Sequence, residues 1–362
     1  MAVFTGFEHG MGIGGWLTNY KRFNVLSPEK YSDLSIGDFE HFESYITEDD
    51  IKYIASLGMD HVRVGFDQVV LEEKPGVYRE CIFKKLDDFI SWCEKYSLNI
   101  VLNLHKAVGN YCDIEEEVQL MESPELQERF INLWLAVEER YHNNNKIAFE
   151  LLNEVRDINP ELWNHVADKL ISAMRQRNKE RILIIGGTCW NNPAKLKAMN
   201  FYDDENIVYT FHFYAPFEFT HQQGVLQADP LYYNRKMPYP CDDIERYRDY
   251  CRVARGEIAY QKYDRMDIAY LYDYLAPVKE FIEKNPDKIL WCGEFGTIRH
   301  AKLEWRESWM RDMIKILKEW DIPYCVWNYL STPNDGNRFS LVDDDERKIL
   351  SEEMARIIRG EV

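Results

Sequence analysis

The sequence predicts an α/β protein folded as a (β/α)8 TIM barrel with a small inserted subdomain after the sixth strand, and three observations carry that expectation. Short apolar, β-branched runs alternate with amphipathic helical patterns along the chain. The runs number eight, one full set of βα units. They are apolar on both faces, as parallel strands buried beneath helices must be. The competing architecture, an open doubly wound sheet, needs a glycine-rich phosphate loop between its first strand and helix. The run GMGIGG at 10–15 lacks that spacing, and no GxxxxGK followed by Ser or Thr occurs.

In chain order the expected strands are MGIGGW (11–16), HVRVGF (61–66), NIVLNL (99–104), KIAFELL (146–152), RILIIG (181–186), IVYTFHF (207–213), KILWCG (288–293) and IPYCVWN (322–328). Helices with readable starts lie between them. Thr47 followed by Glu48, Asp49 and Asp50 supplies an N-cap and three acids at the positive end of a helix dipole, with Gly58 as the stop. Ser123 before Pro124 pairs a cap with proline at the first helical position. Further helical patterns are FKKLDDFISWCEKY, PELWNHVADKLISAMRQRN, EWRESWMRDMIKILKEW and ERKILSEEMARIIRG, the last expected to be capped by the acidic run DDDE at 343–346. The starts of the sixth and seventh strands are 81 positions apart, more than any other pair. The extra segment, 215–267, leaves the end of strand six and is expected as a subdomain over the catalytic face of a single domain, 1–362.

Composition removes several classes of function. With 44 basic against 62 acidic residues the net charge is −18, which repels a phosphate backbone, so no nucleic-acid partner is expected. No apolar run is long enough to span a membrane. The N-terminus lacks a basic head followed by an apolar stretch, which predicts a cytoplasmic protein unless a leader was removed. Eight dispersed cysteines without a C-x-x-C read as reduced thiols, Cys112 and Cys292 included. HEXXH is absent, and His9, His41 and His221 show no ligand spacing, so neither metal nor cofactor is expected. Aromatic residues reach 14%, more than a core requires, and point to planar side chains lining something.

The unusual polar residues gather at strand ends. Arg63 lies in strand two, His105 after strand three, Asn153 and Glu154 after strand four, His212 and Tyr214 at the end of strand six, Glu294 after strand seven and Trp327 near the end of strand eight. In a barrel all face the C-terminal mouth, where active sites form. Glu154 and Glu294 each follow an apolar run, a place where a carboxylate is unfavourable without partners or a task. Two of them across one mouth suit glycosidic cleavage, in which a neutral acid protonates the leaving oxygen and an ionised partner attacks the anomeric carbon. On that reading Arg63 keeps Glu294 ionised, Glu154 carries the proton, Asn153 bonds the sugar 2-hydroxyl and Trp327 offers a stacking face.

The set HVRVGFD, LNLHKA, ELLNE, FHFY, WCGEFG and VWNY, with GIGGWL, TEDDI and FHFYAPFEFTHQ, resembles glycoside hydrolase family 5, the (β/α)8 cellulase family, over residues 10–330. The resemblance implies a retaining double displacement with Glu154 as acid/base, Glu294 as nucleophile, and Arg63, His105, His212 and Tyr214 as a hydrogen-bonding ring. The carboxyl groups should then stand about 5 to 5.5 Å apart. The signature points to an endo-acting enzyme on β-1,4 or mixed-linkage β-glucan, expected as a monomer, with an exo-acting β-glucosidase or β-1,3-glucanase as the rival within the family and a non-catalytic carbohydrate-binding barrel as the rival of another class. Trp16, Trp190 and Phe217 are further candidates for sugar platforms. The loops 108–116 and 188–192 are variable ground that leaves substrate choice open.

Overall fold

The computed structural model describes residues 4–18, 34–111, 118–224, 235–332 and 335–362. Eight strands close a barrel: β1 (His9–Leu17), β2 (His61–Asp67), β3 (Asn99–Lys106), β4 (Ile147–Glu150), β5 (Leu183–Gly186), β6 (Ile207–Phe213), β7 (Ile289–Phe295) and β8 (Tyr324–Val326). Each pairs in parallel with its neighbours in sequence, and β1 pairs with β8 to complete the ring. This is the TIM barrel that the alternation predicts.

The sequence patterns map onto distinct layers. Outward-facing strand residues such as Val62, Leu102, Phe149 and Cys292 join the helices in one large core. A smaller cluster of Val101, Ala148, Ile184, Val208, Trp291 and Cys325 includes Phe4 and Phe7, whose rings stack at 4.4 Å. Phe7 also lies against His61, the first residue of β2, so the two phenylalanines sit at the N-terminal end of the barrel. Polar chemistry is thereby left to the other mouth.

Helix starts follow local chemistry. The Asp50 carboxylate accepts the Thr47 backbone N–H at 2.8 Å at the head of Glu48–Ser56, and Gly58 beyond its end takes φ +83°, which a side chain would disfavour. Ser123 Oγ accepts from the Leu126 amide at the head of Pro124–Tyr141. The last helix differs from expectation. It runs over Glu352–Ile358 and is capped by Ser351, whose Oγ accepts from the Met354 amide. The acidic run does not cap it, because Asp343 closes its own turn by accepting the amides of Asp345, Glu346 and Lys348.

After β6 the chain makes a short helix, Phe217–Thr220, and later Glu245–Tyr250, which runs into a π-turn over Cys251–Arg255. Phe219, Met237, Tyr239, Tyr247 and Met266 of this segment belong to the same apolar core as the barrel helices. The Tyr239 hydroxyl also donates to Asp312, on the helix Leu303–Glu319. Cys112 and much of the 108–116 loop lie outside the described residues. No described helix is long and apolar enough to cross a membrane.

Candidate active site

All eight residues singled out at strand ends converge at the C-terminal mouth. Arg63, in β2, is fully buried and holds three partners. Its Nε and Nη2 form a fork with the two oxygens of Glu150 at 2.6 and 3.0 Å, Nη1 donates to Glu294 Oε2 at 2.7 Å, and Nη2 also donates to Asn153 Oδ1 at 2.7 Å. Burial works against this cation, but Glu150 and Glu294 more than offset it and keep it charged. Glu150 is a site residue that the strand-end reading passed over. Its signal was present in the sequence as an acid inside the apolar run AFELL.

Glu294 has both oxygens engaged, Oε2 by Arg63 and Oε1 by the Tyr214 hydroxyl at 2.6 Å. Burial raises its carboxyl above the ordinary range; Arg63 and His212 oppose the rise and the nearby Glu154 adds to it. Arg63 divides its guanidinium between the two acids, with the fork on Glu150 and a single bond to Glu294, so one cation serves two buried carboxylates. Tyr214 is half-buried, and desolvation of its hydroxyl together with Glu294 pushes its phenol well up, so it stays a proton donor to the carboxylate.

Glu154 takes φ +43°, a left-handed conformation just past β4. Its Oε1 lies 2.8 Å from His212 Nδ1, and that same nitrogen is 3.9 Å from Glu294 Oε2. Burial lowers His212 to about 4, so the imidazole is neutral at neutral pH. His105 is likewise pushed well down by burial, with Lys106 and Arg63 adding to the effect. Its Nδ1 faces Asn103 Oδ1, which can only accept, so Nδ1 carries the hydrogen at 2.9 Å. Asn153 Nδ2 is buried without a partner among the described residues.

Trp327 follows β8 through a cis peptide to Asn328 and lies parallel to His105, with ring centroids 5.7 Å apart. The floor beneath it explains the glycines of the first strand. A Cβ on Gly12 or Gly14 would come within 2.8 or 2.5 Å of the indole. The run GMGIGG thus clears space for an aromatic platform. The other candidate platforms separate: Trp16 is core, its indole N–H donating to the Phe42 carbonyl, whereas Trp190 is 41% exposed at the rim. Phe217 stacks on the buried His221 at 4.0 Å, and His221 packs edge-on against Tyr214. His41 bonds the Gly15 carbonyl, a structural role.

Glu154, His212 and Glu294 bring one ligand atom each within 4.8 Å of one another. The spacing would admit a cation, but Arg63 and Tyr214 already occupy Glu294, and a guanidinium at 2.7 Å opposes a second positive charge. What the arrangement does favour is two carboxyl groups facing one small volume. One oxygen of each lies within 4.8 Å of the other, closer than the roughly 6.5 to 9.5 Å between the carboxyl groups of inverting glycosidases.

Comparison with known proteins agrees with this geometry. The cellulase family, glycosyl hydrolase family 5, matches residues 26–332. Endoglucanase C of Acetivibrio thermocellus is 36% identical over 357 residues, covering 97% of this chain and 98% of the relative. Cellodextrinase A of Ruminococcus flavefaciens is 29% identical over 319 residues, covering 87% and 83%. Among solved structures, endoglucanase Cel5A from the hyperthermophile Thermotoga maritima superposes with a TM-score of 0.72 at 23% identity, covering 98% of this chain and 97% of that one. A barrel of this topology that carries the family's sequence over most of its length leads to one assignment: the chain belongs to glycosyl hydrolase family 5.

Proposed function

We propose that this protein is a retaining endo-β-1,4-glucanase in which Glu294 is the nucleophile and Glu154 the acid/base. The observation that carries the proposal is the closeness of the Glu154 and Glu294 oxygens, which share His212 within 4.8 Å. Relatives named endoglucanase, aligned over nearly the whole chain, support the substrate class. In the first step the Glu294 carboxylate bonds to the anomeric carbon while the leaving oxygen takes a proton from Glu154. In the second, Glu154 removes a proton from water as it displaces Glu294. Arg63 and Tyr214 orient the nucleophile, Asn153 Nδ2 meets the 2-hydroxyl, His105 accepts through Nε2 at the sugar rim and Trp327 stacks on a pyranose ring. Phe217 and His221, just after β6, form one wall.

The test of mode compares viscosity with reducing ends on carboxymethylcellulose and barley β-glucan. A steep early fall in viscosity per reducing end is expected; reducing ends without that fall would replace the endo assignment with an exo one. The acid limb of kcat/KM should fall at a pH above that of an ordinary carboxylate, because Glu294 must be ionised to attack and its pKa is raised. Since the Glu154 charge contributes to the rise, Glu154→Gln should move that limb to lower pH on a substrate that needs no protonation. An unmoved limb would mean that the two carboxyl groups do not sense one another. Gly14→Ala should force the Trp327 ring aside, an overpacking of about 1–3 kcal/mol, seen as a lower Tm together with a higher KM. A normal KM would remove Trp327 from substrate contact.

A further inference from the structure

The turn after β5 places three consecutive non-glycine residues in the left-handed conformation: Cys189 and Trp190 at φ 57° and Asn191 at φ 55°. Each Cβ crowds a carbonyl there, so such a run persists only where the surroundings fix it. The fixing groups lie beside Glu154. The amides of Cys189 and Trp190 donate to the carbonyls of Arg156 and Val155 at 3.1 and 2.8 Å. The turn brings the buried Asn191 side chain against His212, with Nδ2 at 3.2 Å from Nε2. Gly186 leaves the room for it, since a Cβ at that position would lie 2.3 Å from Asn191 Oδ1.

A neutral imidazole has one N–H and one lone pair. An amide nitrogen donates, so Asn191 Nδ2 takes the lone pair on Nε2 and the His212 hydrogen is left on Nδ1, aimed at Glu154 Oε1 at 2.8 Å. We propose that Asn191 is a positioning residue that selects which oxygen of Glu154 carries the catalytic proton. With Oε1 committed as an acceptor, the proton sits on Oε2. As the bond from C1 to the glycosidic oxygen breaks, its electron pair stays on that oxygen, which takes the Oε2 proton, and Glu294 forms the new bond to C1. Glu154 is left as a carboxylate still accepting from His212. In the opposite tautomer Nδ1 would be an acceptor and would draw the proton onto Oε1, away from the leaving group. The inference rests on Glu154 being the acid/base.

The test measures kcat/KM of Asn191→Ala and Asn191→Asp on cellotetraose, which needs protonation, and on 2,4-dinitrophenyl β-cellobioside, which does not. Asp accepts from Nε2–H and so works against the tautomer even where Ala disturbs the turn. General acid catalysis contributes about 10²- to 10⁴-fold, so the loss on cellotetraose should exceed the loss on the activated substrate by about tenfold or more. Nitrogen-15 NMR of the histidine-labelled unsubstituted protein should show His212 protonated at Nδ1. Equal losses on both substrates, or a hydrogen on Nε2 in the unsubstituted protein, would overturn the inference. Glu154→Ala, measured alongside, separates the two claims. If it too loses both substrates equally, the acid/base reading fails; if it discriminates and the Asn191 variants do not, only the role of Asn191 fails.

Discussion

Replacing Glu294 with alanine is expected to abolish turnover of every substrate, by on the order of 10⁵-fold or more in kcat, the scale on which loss of a covalent nucleophile is felt. The effect is indifferent to the leaving group because no bond to the anomeric carbon forms without it. Glu154→Ala should behave differently. Its loss is large on cellooligosaccharides and small in kcat/KM on dinitrophenyl cellobioside, whose leaving group departs unprotonated. Added azide should then restore deglycosylation and give a β-glycosyl azide. An equal loss on both substrates, or an α-azide, would remove Glu154 from the acid/base role.

The second large effect is at Arg63. Its removal in Arg63→Met leaves Glu150 and Glu294, both buried, without their cation. Breaking a buried pair in this way costs about 3–5 kcal/mol of stability, and the orientation of the nucleophile is lost with it. Denaturant unfolding and kcat should therefore both fall. The double change Arg63→Met with Glu150→Leu distinguishes the two roles. Replacing a whole buried pair by apolar groups is often neutral, so stability should recover in part while activity does not. Recovery of activity would show that Arg63 serves only to neutralise Glu150. Lysine at 63 should not suffice, because a point charge cannot reproduce a fork to Glu150 together with a bond to Glu294.

How much of this was legible beforehand follows from what each residue reports. The barrel could be read because strands buried on both faces leave continuous apolar runs, and runs such as RILIIG and IVYTFHF coincide with β5 and β6 to within two residues. Strand-end polar residues could be read because two glutamates, Glu154 and Glu294, each follow an apolar run on opposite sides of one mouth, which a single cap or ion pair does not account for. Glu150 was missed because its partner, Arg63, lies 87 positions away, and only the closed barrel brings them together. Asn103 and Asn191 were missed for the same reason: an asparagine next to an apolar strand is ordinary until the histidine it faces is known. The start of the last helix was misplaced because an acidic run can cap a helix or close its own turn, and Asp343 does the latter.

The most direct measurement follows the anomeric configuration of the first product released from a cellooligosaccharide, by proton NMR within the first minutes, before mutarotation. An oxygen of Glu154 and one of Glu294 lie within 4.8 Å of one another, closer than the roughly 6.5 to 9.5 Å at which inverting enzymes seat a water, so the nascent reducing end should appear as the β-anomer and equilibrate to α only afterwards. Prompt release of the α-anomer would mean direct attack by water, and the assignment of Glu294 as a covalent nucleophile would be wrong.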